Sequence, residues 1–231
     1  MEINLNEIIP LGRSYNEYIR MFGINGSEDN FKILDCGSGP SDFNCVMNEK
    51  GNYVISIDPI YKFTKMEIEK RINETFDDII SQTEQNKNKF VWSSIKSIEE
   101  LAHKRRTAMN TFLKDFDQGK IENRYISAEL PSVPFENAQF DLAISSHFLF
   151  LYENILSYPF HEEAISEMLR VAKEVRIFPL LDLNANRCSY VDTIINDFTQ
   201  KGYLAHILTV DYEFQKGGNQ YLKIIKARPP A

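Results

Sequence analysis

The stretch FKILDCGSGPSDF, residues 31–43, decides the fold of this 231-residue chain. It opens on an apolar run, residues 31–34, which indicates a buried β-strand. The run leads to Gly37 and Gly39, and glycines are needed where a backbone turns sharply or a ligand approaches it closely. The stretch therefore predicts a strand that ends in a tight turn at the ligand-binding edge of an α/β sheet.

The residues that follow complete a βαβ unit. Apolar side chains recur at helical spacing over residues 43–47, and Gly51 ends this predicted helix. The apolar run 53–57 is a second strand, which stops at Asp58 and Pro59 because proline cannot donate to a sheet ladder. Two strands joined by one helix within about 30 residues indicate a parallel sheet.

The same alternation resumes after a long interruption. Further strands are predicted at 124–127, 140–145, 175–178, 203–214 and 221–227. Helices with apolar stripes are predicted over 164–172 and 191–198, and the glycine pair 217–218 favours a hairpin between the last two strands. We therefore predict one α/β domain over residues 1–231, with a doubly wound, mostly parallel seven-stranded sheet and a C-terminal antiparallel hairpin strand.

Residues 62–121 interrupt that alternation. The apolar positions of a first amphipathic helix are Phe63, Met66, Ile72, Phe76, Ile79 and Ile80. A second helix begins at Ser97, with Glu100 completing a capping box, and Gly119 ends it. A single crossover helix needs far fewer residues, so we predict a helical insertion after the second strand. It either pads the sheet or forms a lid on the substrate pocket.

Composition and charge restrict the classes of partner. The net charge of −7 and the sequence pI of about 5.2 argue against binding of DNA or RNA, which requires a basic surface. The one dense basic cluster, residues 103–106, is interpreted as the solvated face of a helix. We expect no signal peptide and no membrane partner, because no run approaches the roughly 20 apolar residues that span a bilayer.

The three cysteines, Cys36, Cys45 and Cys188, form no Cys-x-x-Cys pair. Their odd number and irregular spacing favour free thiols in a reducing cytoplasm over a disulfide or a zinc site. We therefore expect a cytoplasmic protein without a bound metal.

The acid at the end of the second strand, Asp58, indicates a ligand with a ribose, because a carboxylate there can accept hydrogen bonds from both ribose hydroxyls. A dinucleotide-binding turn would have a third glycine at position 42, but Asp42 stands there and would repel a diphosphate. A Walker lysine is also absent from the sequence. A phosphate-free ligand such as S-adenosylmethionine brings no anion close to Asp42 or Asp35.

This pattern resembles that of the class I S-adenosylmethionine-dependent methyltransferases. The family's first motif, acid-x-Gly-x-Gly-x-Gly, corresponds to Asp35, Gly37, Gly39 and Ser41, the last in place of the third glycine. Asp58 corresponds to the ribose-binding acid of the family. The terminal hairpin also fits, since the family adds an antiparallel strand to an otherwise parallel sheet.

The resemblance covers roughly residues 31–225 and implies further contacts. Ala128 and Glu129 would lie beside the adenine, and Ser127 replaces the aspartate that the family usually has. The cofactor-binding residues implied in this part of the chain are Asp35, Gly37, Ser38, Gly39, Ser41, Asp58, Pro59, Ala128, Glu129 and Ser145.

Residues 1–30 are predicted to form a helical cover at the N-terminus, because the segment 11–22 is amphipathic. In similar enzymes a helix ahead of the first strand covers the cofactor. Arg13 and Tyr18 are therefore candidates to bind the carboxylate of S-adenosylmethionine, and ordinary packing is the alternative.

The candidate catalytic residue is His147, which follows the fourth strand at the ligand-binding edge. A histidine there can accept a proton from a substrate oxygen or nitrogen. The alternative is a histidine that is hydrogen-bonded in the cavity wall. Methyl transfer depends largely on positioning, so a base is not required.

The resemblance implies methyl transfer from S-adenosylmethionine to an oxygen or nitrogen of a small molecule, or of a protein side chain. The chain lacks the Asn/Asp-Pro-Pro-Tyr/Phe and Pro-Cys motifs, which argues against methylation of amino groups on adenine or glutamine and of carbon 5 of pyrimidines. A nicotinamide-dependent oxidoreductase and a non-catalytic cofactor-binding or assembly protein remain as alternatives. No feature of the sequence indicates an oligomeric state.

Overall fold

A computed structural model describes residues 9–26, 28 and 30–227. The strands are β1 (Lys32–Cys36), β2 (Tyr53–Ile57), β3 (Tyr125–Ile126), β4 (Phe140–Ser146), β5 (Ala172–Phe178), β6 (Tyr203–Thr209) and β7 (Gln220–Lys226). They form one seven-stranded sheet in the order β3-β2-β1-β4-β5-β7-β6. The pairs from β3 to β5 are parallel, whereas β7 runs antiparallel to both β5 and β6. The predicted fold class is therefore confirmed.

Helices cover both faces of this sheet. They are α1 (Tyr15–Phe22), α2 (Phe43–Glu49), α3 (Lys65–Gln85), α4 (Ile98–Ile121), α5 (Tyr158–Val171) and α6 (Val191–Gln200). Successive strand residues point to opposite faces. Ile33 accordingly belongs to an apolar cluster with side chains of α1 and α2, and Leu34 to one with side chains of α5 and α6. Burial on both faces explains why β1 is a continuous apolar run.

The insertion contains its own apolar cluster, which joins α3, α4 and β3. Ile72 and Phe76 of α3 belong to it, but Phe63 and Met66 are 43% and 75% exposed, so their predicted place on the apolar face was wrong. The physical reason is that Thr64 caps the helix, which begins only at Lys65, and Met66 then falls on the solvent side.

The N-terminus of α4 has half of the predicted capping box. The Ser97 hydroxyl accepts from the backbone N–H of Glu100 at 3.2 Å, as the sequence predicted. The Glu100 carboxylate, however, accepts from the backbone N–H of Lys96 and not from that of Ser97. One donor of the first turn is therefore capped by the residue that the sequence indicated.

The prediction that Gly119 ends α4 is wrong, because this glycine lies buried inside the helix. A β-carbon at this position would come within 2.4 Å of the Tyr125 ring. The glycine therefore permits α4 to pack closely on β3, and the helix continues to Ile121.

The three cysteines lie inside the fold. Cys36, Cys45 and Cys188 are buried free thiols, as the sequence predicted. Within the described residues, no helix is long and apolar enough to cross a membrane.

The close approach at Gly119 predicts the effect of one methyl group. We expect Gly119→Ala to lower the free energy of unfolding by about 1–3 kcal/mol, because the added β-carbon overlaps the Tyr125 ring. This loss would appear although alanine favours an isolated helix over glycine by about 1 kcal/mol. Urea unfolding measures it, with Lys114→Ala at an exposed position of α4 as the control. A Gly119→Ala protein as stable as the wild type would contradict the packing argument.

Candidate active site

A cavity of about 420 Å³ opens at the carboxyl ends of β1, β2 and β4, where open α/β sheets bind ligands. The predicted site residues that line it are Arg13, Tyr18, Gly37, Ser38, Gly39, Asp58, Pro59, Ala128, Glu129 and His147. Asp35, Ser41 and Ser145 are buried outside this lining, and Ser146 lines the cavity in place of Ser145. The topology thus brings most of the predicted residues to one place.

The turn after β1 leaves its backbone open to the cavity. Gly37 and Gly39 have φ angles of +67° and +56°, a left-handed conformation that favours glycine. A β-carbon on Gly37 would meet the Phe148 ring at 2.9 Å, whereas one on Gly39 would meet no atom within 4 Å. Gly37 is therefore required for packing, and the bare backbone of Gly39 can be approached by a ligand.

Asp58 connects that turn to the end of β2. Its Oδ2 accepts from the backbone N–H of Gly39 at 2.9 Å, and its Oδ1 accepts from the backbone N–H of Ile60 at 2.9 Å. Burial raises the pKa of Asp58, and these two donors oppose the rise. Each carboxylate oxygen can accept a second hydrogen bond. Asp58 can therefore fix the turn and also bind ligand hydroxyls.

Asp35 lies fully buried behind the same turn. Its Oδ2 accepts from the Ser38 hydroxyl at 2.6 Å, while its Oδ1 has no hydrogen-bond partner. Burial is the main reason that the pKa of Asp35 is raised to about 7, and the Asp58 carboxyl adds to the rise. A cationic group placed beside this carboxyl would favour its ionised form.

Arg13 precedes Ser14, the N-cap of α1. Its Nη1 donates to the Leu11 carbonyl at 2.9 Å, but its buried Nε has no hydrogen-bond partner. The Tyr18 hydroxyl interacts electrostatically with both Asp35 and Arg13. A carboxyl and a guanidinium, each with one unsatisfied atom, therefore flank a single tyrosine. Such a pair can bind a group that carries both charges, such as the amino-acid end of a ligand.

Ser41 and Ser145, which are also buried outside the lining, differ in their hydrogen bonds. The Ser41 hydroxyl donates to the carbonyl of Arg13 at 2.9 Å and accepts from the backbone N–H of Phe43 at 3.1 Å. Ser41 therefore fastens the segment before α1 to the turn after β1. The buried Oγ of Ser145 has no hydrogen-bond partner.

Arg105, which the sequence reasoning missed, is buried and lines the cavity. It pairs with Glu17 of α1, which also accepts from the Tyr212 hydroxyl at 2.8 Å. Burial favours neutral Glu17, but the Arg105 guanidinium outweighs it and holds the pKa of Glu17 well below its usual range. The interpretation of 103–106 as a solvated face was therefore wrong for Arg105. Its position four residues after Leu101, on the apolar stripe of α4, was the available signal.

His147 follows β4 in a left-handed conformation, with a φ of +53°. This conformation is unfavourable for a residue with a β-carbon and is held by the backbone N–H of His147, which donates to the Phe178 carbonyl at 2.7 Å. Its Nδ1 lies 2.9 Å from the Ser146 hydroxyl. Burial, followed by the charges of Arg13 and Arg105, holds the pKa of His147 well below its ordinary value. The imidazole is therefore neutral near pH 7, and the same burial and charges make it a weak proton acceptor.

The insertion forms one wall of the cavity. Its lining residues are Ile79, Gln82, Thr83, Phe90, Leu101 and Arg105. The segment between α3 and α4 is fastened to the loop between β6 and β7, because the backbone N–H of Val91 donates to the Phe214 carbonyl at 2.7 Å. The Phe90 and Phe214 rings stack there, with 4.9 Å between their centroids.

The N-terminal cover and the aromatic residues that follow β4, which are Phe148, Phe150, Tyr152, Tyr158 and Phe160, line the cavity only in part. Of the cover predicted over 1–30, residues 1–8, 27 and 29 lie outside the described residues, and 9–11 line the cavity. The aromatic residues after β4 that line the cavity are Phe148, Tyr152 and Phe160. Phe150 belongs to the core instead, and Trp92 packs against Phe214. Within the part of the chain described, no cluster of histidine, cysteine or acidic residues is suited to hold a metal ion.

The chain is similar to several solved methyltransferase structures. A magnesium protoporphyrin IX methyltransferase from Synechocystis, solved with bound S-adenosylmethionine, is 10% identical, with 92% of this chain and 78% of that one covered and a TM-score of 0.47. A methyltransferase from Aquifex aeolicus is 12% identical, with 91% and 89% covered and a TM-score of 0.46. A TehB-like methyltransferase from Corynebacterium glutamicum is 14% identical, with 87% and 82% covered and a TM-score of 0.46.

Sequence comparison identifies a much more similar protein. No family model matches the chain. The uncharacterized protein MJ0045 of Methanocaldococcus jannaschii is 39% identical over 223 residues, which cover 96% of this chain and 98% of that protein. The chain therefore belongs to the same protein family as MJ0045 of Methanocaldococcus jannaschii.

Proposed function

We propose that the protein binds S-adenosylmethionine and transfers its methyl group to an oxygen or nitrogen of a small molecule. One observation carries this proposal. A single cavity joins an open glycine turn, an acid at the end of β2 and the guanidinium of Arg13, whose Nε is unsatisfied, and the carboxyl of Asp35, with an unsatisfied Oδ1, is buried directly behind the glycine turn.

Each part of S-adenosylmethionine has a suitable group in the cavity. The ribose hydroxyls would bind Asp58 beside the bare backbone of Gly39, and the adenine would lie on the side of Ala128. The amino group would bind the unsatisfied Oδ1 of Asp35, and the carboxylate would bind the Nε of Arg13. The residues therefore fit this cofactor without a phosphate-binding element.

The buried charges also suit a cofactor with one net positive charge. The buried ionisable groups around the cavity are four carboxyls, those of Glu17, Asp35, Asp42 and Asp58, and two guanidinium groups, those of Arg13 and Arg105. A buried charge without a partner is costly, so the ligand-free protein keeps a proton on Asp35 near neutral pH. S-adenosylmethionine carries one net positive charge and would replace that proton.

Asp42 argues against the nicotinamide dinucleotides. This buried residue precedes α2, and its carboxylate accepts from the backbone N–H of Tyr15. Because that bond fixes the N-terminus of α1, the carboxylate cannot swing away from a diphosphate. A diphosphate bound at the N-terminus of α2, as in dinucleotide-binding folds, would lie beside this carboxyl group.

The residues around the reaction would position the acceptor and exclude water. When bound, S-adenosylmethionine would supply a methyl group to the acceptor oxygen or nitrogen, which forms a bond to the methyl carbon and gives up its proton. The electron pair of the broken carbon–sulfur bond stays on the sulfur. The neutral imidazole of His147 lines the cavity and can accept a hydrogen bond from the reacting group, which orients that group, whereas its lowered pKa makes it a weak base for the proton. The insertion encloses the cavity, which holds the acceptor in place and shields it from water.

Removing the carboxylate of Asp58 tests the ribose contact. We expect Asp58→Ala to weaken binding of S-adenosylhomocysteine by about 10- to 150-fold, the equivalent of about 1.5–3 kcal/mol. Calorimetry measures this, and the wild type should bind S-adenosylhomocysteine but not NAD. Since Asp58 also holds Gly39 and Ile60, the variant should melt earlier.

The matched control for Asp58 separates lost stability from lost affinity. Thr64→Ala removes the cap of α3 outside the cavity, so it should lower the melting temperature and leave the affinity unchanged. If Asp58→Ala melts earlier but retains the wild-type affinity, Asp58 has only a structural role.

The raised pKa of Asp35 predicts that cofactor binding depends on pH. The amino group of S-adenosylmethionine requires the ionised carboxylate, so its dissociation constant should rise about tenfold per pH unit as the pH falls below about 7. Calorimetry between pH 5.5 and pH 8 would measure this slope. Asp35→Asn should abolish the slope and weaken binding at about pH 8 by about 10- to 150-fold.

The stability of the ligand-free protein gives a second test of Asp35. Its folded-state pKa lies above the ordinary value of 3.8, so its contribution to stability is lost as the pH rises through about 7. Asp35→Asn should therefore melt above the wild type at pH 8, whereas Asp117→Asn, on the exposed face of α4, should change neither property. A pH-independent affinity in the wild type would contradict the assignment.

The insertion is expected to move as a lid. The segment between α3 and α4 is joined to the β6–β7 loop by few backbone hydrogen bonds, such as Val91 to Phe214 and Lys216 to Lys89. Hydrogen exchange should therefore be faster at residues 86–94 in the ligand-free protein than with S-adenosylhomocysteine bound. The peptide covering β4 should be protected in both states. Equally slow exchange of 86–94 in both states would mean that the insertion is rigid.

A further inference from the structure

One part of the cavity is not assigned to the cofactor. This part lies between the insertion and the segments that follow β4, β5 and β6. Its apolar wall there consists of Ile79, Phe90, Leu101, Leu156, Phe160 and Phe214. Several of these side chains belong to the insertion, and the others belong to segments that face it across the cavity. A methyl acceptor in this space would contact apolar side chains over most of its surface.

The polar side chains in this part of the cavity are uncharged, and most of them already donate hydrogen bonds to backbone carbonyls. The Thr83 hydroxyl donates to the Ile79 carbonyl at 2.8 Å, and Nε2 of Gln215 donates to the Asp182 carbonyl at 2.7 Å. The carboxamide of Gln82 makes no hydrogen bond to the described residues and lines the cavity. An acceptor would therefore find few polar partners besides Gln82 and His147.

The charged side chains near this space are already balanced. Arg105 is paired with Glu17 in a buried ion pair, and His147 is neutral. Arg13 and Asp35 bind the charged ends of the cofactor in the proposed function, on which this inference rests. A charged acceptor would therefore be buried without a partner, which costs far more than burial of an uncharged one.

We infer that the methyl acceptor is an uncharged small molecule with an apolar body and one reacting group, which is a hydroxyl or an amine that is not protonated near pH 7. Its body lies against the insertion and the aromatic rings opposite, and its reacting group faces His147. An anionic acceptor would add a negative charge for which no guanidinium remains. A cationic acceptor would add a positive charge beside the paired Arg105 and the neutral His147, and none of the side chains that form this part of the wall is a carboxylate.

Three probes of the same size test this inference. They are 2-naphthol, 2-naphthoate and 2-naphthylmethylammonium, and their binding is measured by calorimetry in the presence of saturating sinefungin. In sinefungin an amine replaces the methylsulfonium, so it has the net charge of S-adenosylmethionine. We expect 2-naphthol to bind at least tenfold more tightly than either charged probe. Equal or tighter binding of a charged probe, or no binding of 2-naphthol, would overturn the inference.

Binding of sinefungin by itself is measured first, which separates the two proposals. If sinefungin does not bind, the proposed function fails. If it binds and a charged probe is preferred, only the inference about the acceptor fails.

A change at Gln82 tests where the probes bind. Gln82→Glu places a carboxylate in the cavity wall, so it should tighten binding of the ammonium probe at least tenfold and weaken binding of 2-naphthoate. The control is Gln85→Glu, an identical change at an exposed position of the same helix, which should leave all three affinities unchanged. Unchanged probe affinities in Gln82→Glu would place the acceptor elsewhere and overturn the inference.

Discussion

The carboxylate of Asp58 holds two turns together, and the geometry of the site depends on this interaction. It accepts the backbone N–H of Gly39 from the turn after β1 and that of Ile60 from the 3-10 turn after β2. Parallel pairing places these turns side by side, because the carboxyl ends of neighbouring strands meet at one edge. Gly39 in turn accepts from the Tyr61 hydroxyl, which links the turn to the cluster beneath the insertion. One acid therefore orders the backbone that a ligand would contact.

A second buried carboxylate, that of Glu17, joins the elements that enclose the cavity. It binds Arg105 of α4 and the hydroxyl of Tyr212 in the loop between β6 and β7, and it also accepts from Ser14. A buried ion pair of this kind adds little net stability, but loss of either partner leaves an uncompensated charge. Its principal effect is therefore to fix the relative positions of α1, the insertion and the terminal loop. This arrangement holds α4 and the terminal loop against α1 at the edge of the cavity.

The most predictable features arise from local patterns. The apolar runs at β1 and β2 and the glycine turn between them define their own conformations, and the helical stripe around Ile72 defines α3. The errors occurred where packing overrides such patterns. Gly119 suggested a helix end, but the proximity of Tyr125 requires a glycine inside α4. The basic cluster suggested a solvated face, but Arg105 turns inward because its partner, Glu17, lies far away in the sequence.

The sequence by itself determined the α/β architecture and the chemical character of the edge formed by β1 and β2. Short segments of the sequence contain the strand periodicity, the glycines of the turn and the acid after β2. These features can therefore be predicted without a structure. Only the tertiary structure decided which side chains are buried together, which buried charges are balanced and which atoms remain unsatisfied. Those properties depend on electrostatic interactions between residues separated in the chain, such as Arg13 with Arg105 or Asp35 with Tyr18. Burial then raises the pKa of Asp35 and lowers that of His147, which no local pattern specifies.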